Sequence, residues 1–251
     1  MGQTLERIEK YWTNRAQGYC DLNRWQLSCD SKERWHSVLR REMPKCTPAL
    51  LTVLDIGCGP GFFSVILAED GYNVAAADYT QEMLEKAKEN CEGLDNVVFT
   101  RQNAQALTFE DEYFDVIVSR NLTWVLEDPK KAYEEWYRVL KKGGMLLNFD
   151  ANWYSYLYDD EKRKGYERDR KNVEKRNMKD HFIGTDIDEM EAIAMKVPLS
   201  QVQRPLWDRQ VLKRTGFSAV SCDTQIWQQV WTETEKVNHG SMPLFMVKAI
   251  K

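Results

Sequence analysis

The sequence predicts a doubly wound α/β fold built on a mostly parallel sheet. Residues 51–56 form an apolar, β-branched run that ends in a glycine-rich turn, after which an amphipathic segment begins. Further apolar runs of strand length alternate with helical patterns as far as residue 149. This alternation is typical of parallel strands joined by helices that cover both faces of the sheet.

The composition favours one globular domain and argues against nucleic acid or a membrane as partner. The chain has 251 residues, of which 43% are hydrophobic, enough for a sizeable core. Its 35 Lys and Arg against 39 Asp and Glu give a net charge of −4, which does not attract polyanions. No apolar run approaches the roughly 18 residues needed to cross a bilayer. Because the first residues also lack the apolar core of a secretion signal, we expect a cytoplasmic protein.

The six cysteines give no sign of a disulfide framework or a metal site. They form no CxxC pair and have no metal-type spacing with the three histidines. In a reducing compartment they are expected to be free thiols. We therefore expect no bound metal.

Two amphipathic helices are predicted ahead of the first strand. Residues 4–19 place apolar side chains on one helical stripe, and residues 32–42 form a second helix. Docking on the core explains the stripe, but the first helix also carries a ring-and-guanidinium cluster that could face a ligand carboxylate. This cluster consists of Tyr11, Arg15 and Tyr19.

The turn at Gly57, Gly59 and Gly61 lies where doubly wound sheets bind nucleotides. Glycines allow positive φ and a close approach of the backbone to a ligand. A dinucleotide fingerprint requires G-x-G-x-x-G, and here the third glycine comes one residue early. Asp55, two residues before the first glycine, would repel a pyrophosphate and suits a ligand that carries an ammonium group.

Polar residues after the next two strands extend this predicted site. Asp78 follows the apolar run 72–77, and a carboxylate there can accept both hydroxyls of a ribose. Asn103 and Ala104 follow the run 96–100. A side-chain acceptor beside a backbone N–H matches the edge of an adenine.

The rest of the core is predicted from caps and apolar runs. Residues 114–119 form a fourth strand, and Asp128-Pro129 starts a helix with a capping carboxylate and a proline at its first position. This helix is expected to end in the Lys141-Lys142-Gly143-Gly144 turn before a fifth strand over 145–149. One helix and two strands are predicted later in the chain, over 205–215, 219–226 and 243–250.

Residues 151–204 interrupt the alternation of strands and helices. Their charge-dense run 159–180 contains nine Lys and Arg and seven Asp and Glu, which favours a solvated helix face over a phosphate-binding patch. Thr185-x-x-Asp188 is predicted to be a capping box that opens a helix. The cluster of Trp153, Tyr154, Tyr156 and Tyr158 could line a pocket or cage a cation, and core packing explains it equally well.

In this order of parts, residues 50–150 resemble the class I S-adenosylmethionine-dependent methyltransferases. The segment 53–61 looks like the family's first motif, which wraps the methionine portion of the cofactor. Asp78 stands where the family has its ribose-binding acid, and Asn103 stands where the adenine-contacting residue is usually aspartate. The run 114–119 resembles the fourth strand, whose end lies below the transferable methyl group.

The resemblance implies a Rossmann-like seven-stranded sheet, mostly parallel with an antiparallel last strand, plus N-terminal helices and a helical insertion after strand five. It implies a single methyltransferase domain over residues 1–251. The parts of this domain would be an N-terminal helical cap (1–48), a cofactor-binding core (49–150), a helical substrate-lid insertion (151–204) and the C-terminal part of the core (205–251).

The resemblance also implies S-adenosyl-L-methionine as cofactor and S-adenosyl-L-homocysteine as product. The residues expected at the cofactor are Asp55, Gly57, Cys58, Gly59, Gly61, Asp78, Tyr79, Met83, Asn103, Ala104 and Arg120. Tyr11 and Arg15 are added because the first helix is similar to family segments that close over the cofactor and pair its carboxylate.

Since a sulfonium methyl is already activated, the protein must mainly align an in-line nucleophile and exclude water, with a general base for some acceptors. Candidate catalytic residues are Asn121, Asp150 and His181. The expected substrate pocket comprises Tyr19, Trp124, Asn148, Asn152, Trp153 and Tyr156. The fourth strand is followed by Ser119-Arg120-Asn121-Leu122 and not by an Asn-Pro-Pro-Tyr signature of amide or base methylation, which favours a small-molecule acceptor.

Two other functions stay open at this point. One is a module that binds S-adenosylmethionine without turnover, and the other is an NAD-dependent dehydrogenase with an atypical glycine turn. The methyl acceptor and the oligomeric state are left open by the sequence.

Overall fold

The computed structural model describes residues 3–251, and a seven-stranded sheet forms the centre of this part of the chain. The strands are β1 (Thr52–Ile56), β2 (Asn73–Asp78), β3 (Val97–Arg101), β4 (Phe114–Arg120), β5 (Leu140–Asp150), β6 (Ala219–Asp223) and β7 (Phe245–Ile250). Their order in the sheet is β3-β2-β1-β4-β5-β7-β6. Strands β1 to β5 are parallel, and β7 runs antiparallel to both β5 and β6. The predicted fold class is confirmed.

Helices cover both faces of the sheet. They are α1 (Gln3–Leu27), α2 (Asp30–Glu42), α3 (Phe62–Glu69), α4 (Gln81–Asn90), α5 (Pro129–Val139), α6 (Asp160–Lys175), α7 (Ile187–Ala194), α8 (Leu206–Thr215), α9 (Trp227–Val230) and α10 (Glu233–His239). One core cluster packs α2, α3 and α9 on the first face, around Trp35 and Phe63. A second cluster packs α5 and α8 on the opposite face, around Trp136 and Leu212.

Several boundaries differ from those that the sequence predicts. Helix α1 continues to Leu27, well beyond residue 19. Helix α5 ends at Val139, and β5 already begins at Leu140, which pairs with Phe114 before the register shifts. Gly143 has a φ of +75°, so the lysine and glycine run bends the strand and does not serve as a separate turn.

The start of α7 corrects the predicted capping box. Asp186 is the N-cap, and its carboxylate accepts a hydrogen bond of 3.0 Å from the backbone N–H of Glu189. The Thr185 hydroxyl instead donates to the carbonyl of Phe182 at 2.7 Å. An aspartate one residue further along competes for the same role, because both side chains are good caps.

The N-terminal helix and the insertion meet above the carboxyl edge of the sheet. Helix α1 is tied to α4 by a 2.9 Å hydrogen bond from Thr13 to Glu82 and to α7 by the Arg7–Glu189 ion pair. An apolar cluster continues this contact from Ile8 on α1 to Ile193 on α7. No helix within residues 3–251 is both long and apolar enough to pass through a bilayer.

Candidate functional site

A cavity opens at the carboxyl ends of β1, β2 and β3, and α1 forms its outer wall. The glycine turn is fastened to β2, because the N–H groups of Gly57 and Cys58 donate to the carbonyl of Ala77 at 2.8 and 3.0 Å. Gly59 has a φ of +53°, and a Cβ built on it would lie 3.4 Å from the ring of Tyr19. Glycine therefore permits both the turn and the close approach of α1.

Asp78 is held in the wall of this cavity by backbone amides. Its Oδ2 accepts a 2.9 Å hydrogen bond from Gly59, and its Oδ1 accepts one of 2.9 Å from Thr80. Burial raises the pKa of Asp78, and these amides oppose that effect by favouring the ionised form. Since a carboxylate has about four lone-pair directions, the fixed group can still accept from two hydroxyls.

Asp55 lies deeper in the same cavity and is 2% exposed. The hydroxyl of Ser64 donates to its Oδ2 at 2.6 Å. Burial raises the pKa of Asp55 to about 6, while the nearby charge of Arg120 acts in the opposite direction. A buried carboxyl of this kind has high affinity for a cationic group that replaces its lost hydration.

The far end of the cavity is formed by the loop after β3. Asn103 and Ala104 line it as predicted, and Gln105 and Glu127 line it as well. The Asn103 Oδ1 accepts from the backbone N–H of Gln105 at 2.9 Å, so the amide also shapes the loop. Gln105 and Glu127 were missed because no strand-end pattern marks them.

Several other predicted cofactor residues lie in this wall, namely Cys58, Tyr79, Met83 and Arg120. Gly61 does not line the cavity. It is the N-cap of α3 with a φ of +86°, and a Cβ built on it would lie 3.3 Å from Cα of Ala87. Its role in the structure is close packing of α3 against α4.

A second cavity adjoins the first beneath α1 and the insertion. Four residues line both cavities, namely Trp12, Tyr19, Arg120 and Asn121. Ten aromatic side chains line the second cavity: Tyr11, Trp12, Tyr19, Trp35, Trp124, Trp153, Tyr154, Tyr156, Phe182 and Trp231. The predicted pocket residues Tyr19, Trp124, Trp153 and Tyr156 thus come together. Tyr11 and Arg15, predicted at the cofactor, lie in this second cavity instead.

Arg120 places a positive charge at the junction of the two cavities. Its guanidinium carbon lies 4.1 Å from the centre of the Phe62 ring, and its Nη2 donates to Oε1 of Gln26 at 3.2 Å. Gln26 in turn donates to Glu235 at 2.8 Å. A line of polar contacts therefore runs from the junction to the base of α10.

Besides Gly61, three predicted site residues lie outside both cavities. The carboxylate of Asp150 is buried and accepts from the hydroxyl of Thr123 at 2.5 Å, the N–H of Trp124 at 2.9 Å and the guanidinium of Arg204 at 2.7 Å. Asn148 donates to Thr123 and Tyr133, and Asn152 exchanges hydrogen bonds with the backbone of Arg204. Arg204 and Thr123 hold these groups in a buried hydrogen-bonded network. The bond from the Trp124 N–H to Asp150 ties Trp124 to this network.

The predicted base His181 lines the second cavity together with His239, a residue that the sequence analysis did not select. Asn121, the remaining catalytic candidate, lies at the junction with a φ of +58°. Among residues 3–251 no group of three His, Cys, Asp or Glu side chains is placed to hold a metal ion.

This geometry defines a Rossmann-like nucleoside-binding domain with an adjoining cavity lined by aromatic side chains. Residues 54–148 match a family model described as a methyltransferase domain. Over this segment the chain is thus similar to methyltransferase domains, in agreement with the resemblance of residues 50–150 to the class I S-adenosylmethionine-dependent enzymes.

Curated relatives align over the same core. A demethylmenaquinone methyltransferase from Clavibacter sepedonicus is 40% identical over 96 residues, which are 38% of this chain and 39% of the relative. A ubiquinone biosynthesis O-methyltransferase from Coxiella burnetii is 31% identical over 109 residues, or 42% of this chain and 47% of the relative. The chain thus spans less than half of the length of these two relatives.

Solved structures share the fold over more of the chain. An S-adenosylmethionine-dependent methyltransferase from Aquifex aeolicus superposes with a TM-score of 0.58 at 21% identity, covering 95% of this chain and 97% of the other. A phosphoethanolamine N-methyltransferase from Haemonchus contortus, in complex with S-adenosylhomocysteine, gives 0.59 at 18% identity, covering 86% and 52%. At these identities the likeness concerns the fold.

Proposed function

We propose that this protein transfers the methyl group of S-adenosylmethionine to a small molecule held in the second cavity. In this proposal the ribose hydroxyls bind Asp78 and the adenine binds beside Asn103. The ammonium group of the methionine portion binds Asp55, and its carboxylate binds Arg120. Each assignment joins a polar group of the cofactor to a side chain of opposite charge or matching hydrogen-bond capacity in the first cavity.

The observation that carries the proposal is the shared wall of the two cavities. A cofactor in the first cavity, with its methionine portion at the glycine turn, would present its sulfonium methyl near Tyr19 and Asn121. An acceptor in the second cavity would then meet the methyl group across this junction. Transfer of an activated sulfonium methyl needs alignment and exclusion of water, and the aromatic walls of the second cavity favour both.

The walls and charges support a small acceptor over a polymer. The second cavity lies under α1 and the insertion, and the chain's net charge of −4 does not favour nucleic acid. Two relatives have names that place methyl transfer on demethylmenaquinone or in ubiquinone biosynthesis, which agrees with a planar acceptor among aromatic walls. We place the reaction in the cytoplasm on the grounds of the sequence.

Calorimetry with S-adenosylmethionine, S-adenosylhomocysteine and NADH tests the cofactor site. We expect both sulfur nucleotides to bind, and Asp78→Ala to weaken S-adenosylhomocysteine binding by about 1–3 kcal/mol through the loss of charged hydrogen bonds. The matched control is Asp95→Ala, because Asp95 is exposed and lines neither cavity. Binding of NADH alone, or unchanged affinity in a folded Asp78→Ala protein, would contradict the proposal.

Turnover separates an enzyme from a binding module. S-adenosylmethionine labelled in its methyl group is incubated with the protein and pooled small-molecule metabolites, and label is followed into products. Transfer that depends on the protein and is reduced by Asp78→Ala supports an enzyme. Tight binding of the cofactor with no labelled product from any pool would favour the module.

A further inference from the structure

Two histidines form a pair in the second cavity, away from the residues assigned to the cofactor. His181 lies in the segment between α6 and α7, and His239 is the last residue of α10. The Nδ1 of His181 and the Nε2 of His239 are 3.2 Å apart. The ring of His239 packs edge-on against Trp153, with centroids 5.4 Å apart, and Trp231 lies 5.9 Å away.

The outer nitrogens of this pair are buried and have no protein partner among residues 3–251. They are Nε2 of His181 and Nδ1 of His239. When both rings are neutral, one inner nitrogen donates its hydrogen to the other. One outer nitrogen then has a lone pair and the other has a hydrogen. The pair can therefore take a proton at one end and release a proton at the other.

The surroundings keep both rings uncharged at neutral pH. Burial lowers the pKa of His181 to about 4, and the charges of Lys179 and Arg170 act in the same direction. Burial also places the pKa of His239 well below its ordinary value, with His181 and Arg170 contributing. The charge of Asp180 acts to raise the pKa of His181, but Asp180 is itself held in a 2.6 Å ion pair with Arg170.

Glu235, on the same helix as His239, has its hydrogen bonds with other residues and not with the two imidazoles. Its carboxylate accepts from Gln26 at 2.8 Å and from the backbone and hydroxyl of Thr232 at 2.8 and 2.9 Å. Arg170 is held on the other side by Asp180 and the carbonyl of Asn238. The two imidazoles are thus available as neutral proton acceptors.

We propose that His181 and His239 act as a proton relay for a planar acceptor that has a phenol- or enol-type hydroxyl. This inference rests on the proposed function and names its substrate class. The acceptor oxygen attacks the methyl carbon, and the carbon–sulfur bond breaks with its electron pair going to sulfur. The O–H bond breaks as its proton passes to the lone pair of the outer imidazole nitrogen. The products are a methyl ether, S-adenosylhomocysteine and an imidazolium, which returns its proton to solvent.

Charge decides between this acceptor and a cationic one. Aromatic walls can cage a quaternary ammonium group, but Arg15 lines this cavity and would repel a cation. Arg120 is assigned to the cofactor carboxylate, and the Glu235 carboxylate is occupied by Gln26 and Thr232, so neither offsets that repulsion. A neutral hydroxyl avoids that repulsion. The positive charge on sulfur also disappears as the imidazolium forms, so the net charge of the site is unchanged during transfer.

The pairing can be tested without any acceptor. The chain has three histidines, so ¹⁵N-histidine spectra resolve each ring, with His36 as the reference outside the cavity. At pH 7 we expect His181 and His239 to be neutral and to have complementary protonation at their inner nitrogens. A doubly protonated ring at pH 7 would overturn the relay, and so would spectra in which the two inner nitrogens share no hydrogen.

Kinetics with phenol and 4-nitrophenol as acceptors, and aniline as comparison, test the catalytic step. We expect His181→Gln and His239→Gln to lower kcat about 100-fold or more, with KM and S-adenosylhomocysteine affinity changed less than about threefold. The wild-type rate on phenol should be flat between pH 6 and 8. In the two glutamine variants the rate on phenol should rise about tenfold per pH unit over this range, because without the relay only phenolate reacts. His36→Gln, which loses a half-buried contact to Asp70 outside both cavities, is the matched control.

The outcomes separate this inference from the proposed function. Methylation of aniline but of neither phenol, a loss confined to KM, or equal losses in all three variants would overturn the relay. If the wild type binds S-adenosylhomocysteine and methylates no phenol, the substrate class is wrong and the methyltransferase proposal stands. If no sulfur nucleotide binds, the proposed function itself fails. Binding of S-adenosylhomocysteine shows that each glutamine variant is folded.

Discussion

Replacing Arg204 by methionine should destabilise the protein strongly, because this arginine is the cation of a buried network. Its guanidinium bonds to Asp150 at 2.7 Å, to Asp208 at 2.8 and 2.9 Å, and to Thr123 at 2.6 Å. The side chains of Arg204, Asp150 and Asp208 are 0% exposed. Methionine fills a similar volume, so the main change is the loss of the charge.

The size of the effect follows from what is left behind. Two buried carboxylates lose their shared cation, and breaking a buried ion pair in this way costs about 3–5 kcal/mol. Tyr133 and Thr123 still donate to the two carboxylates, so hydrogen bonding is only partly lost. In the variant, the pKa of at least one carboxyl should rise above its unfolded value, so the destabilisation should shrink as the pH is lowered from 8 to 5.

Urea unfolding followed by tryptophan fluorescence at pH 8, 7 and 5 measures this change. Arg209→Met is the matched control, since Arg209 is exposed on the same helix, α8, and should change stability by less than about 0.5 kcal/mol. Adding Asp208→Asn to Arg204→Met should restore part of the loss. A loss below about 1 kcal/mol at pH 7, or one that grows on acidification, would refute the reasoning.

Further predictions concern the first cavity. In the proposed function the ammonium group of the cofactor binds ionised Asp55, whose pKa burial raises to about 6, so S-adenosylhomocysteine affinity should fall below pH 6 by up to about tenfold per pH unit. Calorimetry against pH measures this dependence, and a fall equally steep in Asp55→Asn would contradict it. Gly61→Ala should lower the unfolding free energy by at least about 1 kcal/mol more than Gly93→Ala. Both glycines have φ near +85°, but a Cβ meets Ala87 only at Gly61. Equal losses in urea unfolding would show that backbone conformation alone matters.

The sequence was sufficient to predict that several of its polar residues line the first cavity together. Asp55, Gly57 and Asp78 follow or end apolar runs, and the carboxyl ends of neighbouring parallel strands must meet at one edge. The structure brings these residues into one wall for that reason. Local signals and the topology of the sheet therefore determine their proximity.

Asp150 shows why the same reasoning did not extend to the second cavity. It also ends a strand, but its partner Arg204 lies 54 residues further along, in a segment with no regular pattern. The docking of the insertion decides that this carboxylate is buried in an ion pair. His239 was missed for a related reason, because only the packing of the short helix α10 brings it to His181. Such long-range contacts leave no periodic trace in the sequence.

The single long helix α1 links access to the first cavity with access to the second. Trp12 and Tyr19 on this helix line both cavities, so one helix forms part of the wall of each. Its outer end is fastened to α7 by the Arg7–Glu189 pair, and its middle is fastened to α4 by Thr13. Moving α1 exposes both compartments together. Under the proposed function, release of S-adenosylhomocysteine and release of the methylated product would both require this movement, and steady-state kinetics should show a common slow step for both.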